Sequence, residues 1–181
     1  MPGHKAHDTI GLVAALPIAA ASFATLHYGL GDTITDAAIG AGIVAGSHLV
    51  ATFWLSPDLD LDSAIDNRWG PLRPIWLPYM HLVPHRSWVS HSVVGGVLRL
   101  AYLASIIWLI LFIASVVLQA GGIAEDIAYH TVFLDWLLSL QHTGTRPALL
   151  IVAGVIAADL VHVGADLITS EIKATWRSLW R

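Results

Sequence analysis

Histidine and aspartate recur in this chain in four short segments: His7-Asp8, the run Pro57-Asp58-Leu59-Asp60-Leu61-Asp62, the pair His85 and His91, and the set Asp159, His162 and Asp166. Imidazole and carboxylate together are the donor set of zinc, manganese and iron sites. Each segment lies at the end of a long apolar stretch. Ionisable groups at membrane depth are costly and tend to mark function. The chemistry to look for is a metal centre assembled from all four segments.

The remainder of the chain must position those ends. Of 181 residues, 56% are hydrophobic and 12% charged, against roughly 25% charged in soluble domains. Mean hydropathy is +0.68. A spanning helix needs about 20 apolar residues, and residues 10–27, 37–55, 93–118 and 148–168 answer to that. Residues 123–140 carry Glu125, Asp126, His130 and Asp135 among apolar residues, the pattern of an amphipathic helix lying at the interface. The expected fold is all-α: one polytopic membrane helix bundle over 1–181, with four transmembrane helices, one interfacial helix and a Trp/Pro-rich loop at 56–92. The Ala-rich residues 19–24 also resemble the end of a secretory signal. The segment before them has a single Lys and a nearby acid, a poor n-region, so the run is read as a retained helix.

Counting crossings puts Lys5, Arg68, Arg73, Arg86, Lys173, Arg177 and Arg181 on one side, with Arg99 close to it, and only Arg146 on the other. The positive-inside rule makes the first side cytoplasmic. Both termini and all four His/Asp segments then face the cytoplasm, in the inner (plasma) membrane. The 173–181 tail, with Trp and Arg, reads as an interfacial anchor.

Several classes are excluded. Without cysteine, there are no disulfides, thiolate zinc sites or cysteine-held iron–sulfur clusters. No basic stripe or zinc-finger spacing is present, so no nucleic-acid partner is expected. A calcium-binding EF-hand at 58–69 fails, because Ser63 stands where Gly is needed and Trp69 where the bidentate Glu is needed. Nothing reads as the strands that an Asp-x-Asp phosphatase fold requires.

Pro57 ends the second crossing. Asp58, Asp60 and Asp62 alternate, so an extended stretch would turn all three carboxylates one way. His85 is read as a loop ligand and His91 as a ligand in the first turn of the third crossing, with Ser90 or Ser92 as cap. Arg86 would fork onto an anion at that helix N-terminus. Asp159, His162 and Asp166 share one helix face. The expected metal ligands are His7, Asp58, His85, His91, His162 and Asp166. Asp60, Arg86 and Asp159 are expected to act in catalysis, Asp159 by orienting a histidine ring. In 67–79, prolines 71, 74 and 78 break helical regularity. Arg68, Arg73, Trp76 and Tyr79 of this lid-like stretch are expected to hold substrate. His48 is read as an interhelical residue; His4, His27, His81, His130 and His142 are given no role.

The opening His-Asp, the Pro-Asp-Leu-Asp, the blocks Arg-Trp-Gly-Pro-Leu-Arg and Ile-Trp-Leu-Pro-Tyr, the His-Arg-Ser…Ser-His-Ser block and the late His162-x-x-x-Asp166 together resemble a bacterial and archaeal family of membrane proteins known as metal-binding and otherwise uncharacterised. More distantly, the pattern is similar to LexA-regulated inner-membrane metal-dependent hydrolases. The chain departs from the pattern at Gly11, at Val161 and Val163 beside His162, and in the Gly-Ala-Asp-Leu ending at 164–167. The resemblance implies metal binding and suggests hydrolysis. The expected function is a membrane-embedded hydrolase of a phosphoester, lipid phosphoesters included, at the cytoplasmic face. It would use one or two divalent ions, zinc first and manganese or iron next, with membrane lipids as partners. Two ions sharing a carboxylate would bring a bound water's pKa towards about 7. Three rivals stand beside it: a non-catalytic metal-binding or metal-handling membrane protein on the same ligands, a haem protein with His48 and His162 as axial ligands, and a packing role for the polar groups.

Overall fold

The computed structural model describes residues 4–84, 87–123, 128–140 and 144–179, and every regular element among them is helical. Helix α1 (His4–Ala24) loosens into one π turn at Thr25–Gly29. Gly31, at φ 76°, supplies the left-handed step of the reversal. Thr33 then caps α2 (Ile34–Trp54), its hydroxyl accepting from Asp36 N at 3.1 Å. Helix α2 stops at Leu55, ahead of Pro57. A 3-10 turn (Pro57–Asp60), the short α3 (Ala64–Asn67), a second 3-10 stretch (Gly70–Trp76) and α4 (Leu77–Leu82) follow. Ser92 caps α5 (Val93–Ala120). Helices α6 (Tyr129–Ser139) and α7 (Thr145–Leu179) complete the chain.

Four stretches are long and apolar enough to cross a bilayer: Lys5–Gly29, Ile34–Asp60, Val94–Ala120 and Thr145–Ser170. Helices α1 and α5 start at one end of the bundle, and α2 and α7 return to it. At the opposite end Arg146, at the start of α7, forms an ion pair with Asp32 in the α1–α2 link. The fourth crossing and the tail are not separate pieces: α7 runs unbroken to Leu179.

Helix α2 is the centre of the bundle, packed between α1 and α7. It buries Ala37, Gly40, Ala41, Val44, His48 and Ala51, small residues that let backbones approach where lipid offers no hydrophobic drive. Across from it, a Cβ on Gly154 of α7 would overlap Ser47 and the backbone of Val44 and His48. His48 is fully buried, with Nε2 2.8 Å from the carbonyl of Gly11. It is the interhelical residue expected, and one of its ring nitrogens is thereby withdrawn from an axial role on haem.

The 57–82 segment forms a compact cap on the ligand-bearing end. Its core joins Leu59, Ile65, Trp76 and Tyr79 to Ala51 and Leu55 of α2 and to Val155 and Ala158 of α7. Tyr102 of α5 closes it, in ring contact with Trp76 and Tyr79 and hydrogen-bonded to the carbonyl of Ile75. Trp76 (0% exposed) and Tyr79 (3%) therefore lie inside the aromatic core rather than on a substrate-facing surface. Burial raises the Tyr79 phenol above its ordinary pKa.

Helix α6 folds back on α5. Ser115 Oγ accepts from Tyr129 N at 3.0 Å, and His130 meets the faces of Trp108 and Phe112 edge-on.

Candidate metal centre

Four chain segments bring donors to one point because the starts of α1 and α5, the middle of α7 and one capped turn meet there. His7 comes from the first turns of α1, and His162 and Asp166 from one face of α7. Asp58 comes from the Pro57–Asp60 turn, which Ser56 caps. His91 stands just before Ser92, the cap of α5, and so precedes the first helical turn.

His162 sits at the middle. Its Nε2 lies 3.6 Å from Asp58 Oδ1 and 3.9 Å from Asp166 Oδ2, and its Nδ1 lies 3.3 Å from Ser56 Oγ. The His7 ring stacks on it, with centroids 4.1 Å apart, and turns Nε2 towards Asp166 Oδ1 at 3.1 Å. The His91 ring stands edge-on to it at 6.0 Å. Two groups of donor atoms, His7/His162/Asp166 and Asp58/His91/His162, each lie within 4.8 Å of one another.

This donor set fits a divalent ion. Buried polar atoms are normally hydrogen-bonded. Yet His162 Nε2, shielded from solvent and turned into the cluster, has no hydrogen-bond partner among the described residues. An ion would satisfy it. Both groups use His162, and a ring nitrogen has one lone pair to give. With Nδ1 facing Ser56, Nε2 serves a single ion, with His7, Asp58, His91 and Asp166 as the other candidate ligands around it. A space of about 10 Å³ opens beside His7, Ser56, Asp58 and His162, room for one water.

The remaining expected site residues fall in different places. Asp60 is buried, with Oδ2 3.7 Å from His91 Nδ1, and lies behind that ligand. Asp58, Asp60 and Asp62 do not face one way: the turn is helical rather than extended, so Asp58 reaches the cluster, Asp60 backs His91, and Asp62 pairs outward with Arg73 at 2.9 Å. Arg68 is paired with Asp8 and donates to the carbonyl of Phe53 at 3.0 Å. Arg73 is held by Asp66 and Asp62, with Asp66 foremost in raising its pKa. Both guanidinium groups, expected at a substrate, are thus neutralised within the protein. Asp159, expected to orient a histidine ring, forms a buried ion pair with Arg99. His85 and Arg86 lie outside the described residues. Sequence reasoning missed Ser56, which caps the Asp58 turn and touches His162, and Arg99. A lone Arg inside a crossing as apolar as 93–118 was the available signal for the second.

An all-helical bundle with four helices long and apolar enough to cross a membrane, and a His/Asp donor cluster, defines a helical protein of metal-binding type. The chain belongs to the family described as "Uncharacterized metal-binding protein (DUF2227)", which matches residues 2–176. It is also 32% identical over 130 residues to an uncharacterized protein of Aquifex aeolicus, a match covering 70% of this chain and 89% of that one. No solved structure matches the chain significantly.

Proposed function

We propose that this protein is a membrane-embedded, metal-dependent hydrolase that acts on a phosphoester, lipid phosphoesters included, at the cytoplasmic face of the plasma membrane. The observation that carries the reading is the water-sized space lined by His7, Asp58 and His162, beside a His162 Nε2 that has no hydrogen-bond partner among the described residues. His162, Asp58 and His91 would hold the ion, with His7 and Asp166 completing the set; zinc suits this mixture best, with manganese or iron next. The ion would supply Lewis acidity and a water acidified towards neutrality. The chain's own groups do the rest. Ser56 fixes the His162 ring, Asp60 backs His91, and the carboxylate of Asp166 beside His7 can accept or hand on a proton. Burial of the cluster between α1 and α7 limits competing water.

A second reading, a metal-holding protein without turnover, is favoured by one observation: Arg68, Arg73, Trp76 and Tyr79 are all committed to internal contacts. One experiment separates the two. Purified wild-type protein loaded with zinc or manganese is assayed against bis(p-nitrophenyl) phosphate and short-chain lipid phosphoesters, beside His91→Ala. Turnover that disappears in the variant while expression and helicity hold supports the hydrolase. Tightly bound metal without turnover on any of these esters favours the second reading.

A further inference from the structure

We infer that Arg99 is a positioning residue for the metal centre, tying three of its ligand-bearing segments together from within α5; this rests on the metal-centre reading above. Arg99 is 0% exposed and its partner Asp159 1%. The guanidinium uses its donors on three different pieces of chain. Nε donates to the carbonyl of Leu55 at 2.7 Å, one terminal nitrogen to the carbonyl of Ser90 at 3.1 Å, and the other to Asp159 Oδ1.

Each acceptor adjoins a ligand. Leu55 precedes Ser56, whose hydroxyl accepts from Asp58 N at 3.4 Å and lies against His162 Nδ1. Ser90 precedes His91 and places its own hydroxyl 2.9 Å from His91 Nδ1. Asp159 lies one helical turn before His162 on the same face of α7. The close approach of α5 to α7 is itself built in. A Cβ on Gly96 would come within 2.7 Å of Asp159 Oδ2 and 2.6 Å of Val155, so glycine there lets the carboxylate reach Arg99.

Guanidinium chemistry suits the task. Its planar fork carries five donors at fixed angles, whereas a lysine ammonium is a single point charge on a flexible stem and cannot hold the same three acceptors in fixed relation. A merely structural salt bridge would behave differently. Replacing a buried ion pair by apolar residues of similar volume is often neutral for stability, so stability and ligand placement can be separated by mutation.

The test uses the full chain in detergent. Zinc affinity is measured by chelator competition, and thermal unfolding is followed without metal. The variants are Arg99→Met/Asp159→Leu, Arg99→Lys and, as a core control away from the ligands, Trp76→Phe. The expected result is an unfolding midpoint for the double variant close to that of the wild type, with zinc affinity lower by about 10- to 100-fold, as for other groups that orient metal ligands. Arg99→Lys should weaken zinc in the same direction, and Trp76→Phe should lower the midpoint while leaving affinity in place. Wild-type affinity in a folded double variant overturns the inference. So does a Trp76→Phe loss of affinity as large as that of the double variant. If the double variant does not fold, wild-type affinity in Arg99→Lys overturns it equally. Absence of zinc binding in the wild type would instead remove the metal-centre reading on which it rests.

Discussion

Helices α2 and α5 are both long enough to span a membrane, yet 33% of the apolar window of α2 is buried inside the protein and only 6% of that of α5. Helix α2 is lined by alanine, glycine and valine and sits between two neighbours. Helix α5 shows Ile107, Leu109, Ile110, Ile113, Val116 and Val117 on exposed faces, and holds the rest of the bundle mainly through its N-terminal turns and Ser115. Hydropathy alone ranks these helices the other way, since the α5 window averages 2.6 and that of α2 1.6. The more apolar of these two helices is the more exposed; the one that organises the protein is poorer in large side chains and richer in small ones. Where the solvent is itself apolar, close packing and polar contacts bind helices together.

This contrast can be broken or sharpened by mutation. The largest effect is expected at the centre. His162→Ala removes the residue common to both donor groups, and elemental analysis should show bound metal falling from stoichiometric to background. In the cap, Trp76→Ala empties a fully buried aromatic site and should cost about 3–5 kcal/mol, read as a lower unfolding midpoint in detergent. At the α2–α7 contact, Gly154→Leu should cost about 1–3 kcal/mol through overpacking, and metal affinity should fall with it as α7 is pushed away. On the loose limb, Ser115→Ala removes the side-chain acceptor for Tyr129 N and should cost about 1 kcal/mol. It should raise hydrogen exchange in α6 and leave metal binding unchanged. Ile110→Ala, on a lipid-available face, should stay within about 0.5 kcal/mol. If Ile110→Ala destabilised as much as Gly154→Leu, the contrast between the two helices would be wrong.

The crossings were legible because length and hydropathy fix them: residues 37–55 were expected and Ile34–Trp54 is helical. The meeting of His7, Asp58, His91, His162 and Asp166 was legible too, since alternating the direction of four long apolar stretches brings those positions to one level. What was not legible depended on tertiary contacts. Alternation in 57–62 suggests an extended run, but Pro57 with Ser56 as cap starts a 3-10 turn that sends the three carboxylates in different directions. The aromatic residues of 67–79 look interfacial by composition, and only the facing Tyr102, far along the chain, makes a core of Trp76 and Tyr79. Arg68 and Arg73 look available until Asp8 and Asp66 are seen beside them.

The stacked rings of His7 and His162, with Asp166 against His7, join the first crossing to the last. During synthesis the α1–α2 hairpin is complete before α7 is made. Until α7 arrives, His7 and Asp58 lack the partner around which both gather. The donor cluster therefore closes only once α7 has joined α1 and α2. A chain truncated before Thr145 would carry His7, Asp58 and His91 without the two donors of α7.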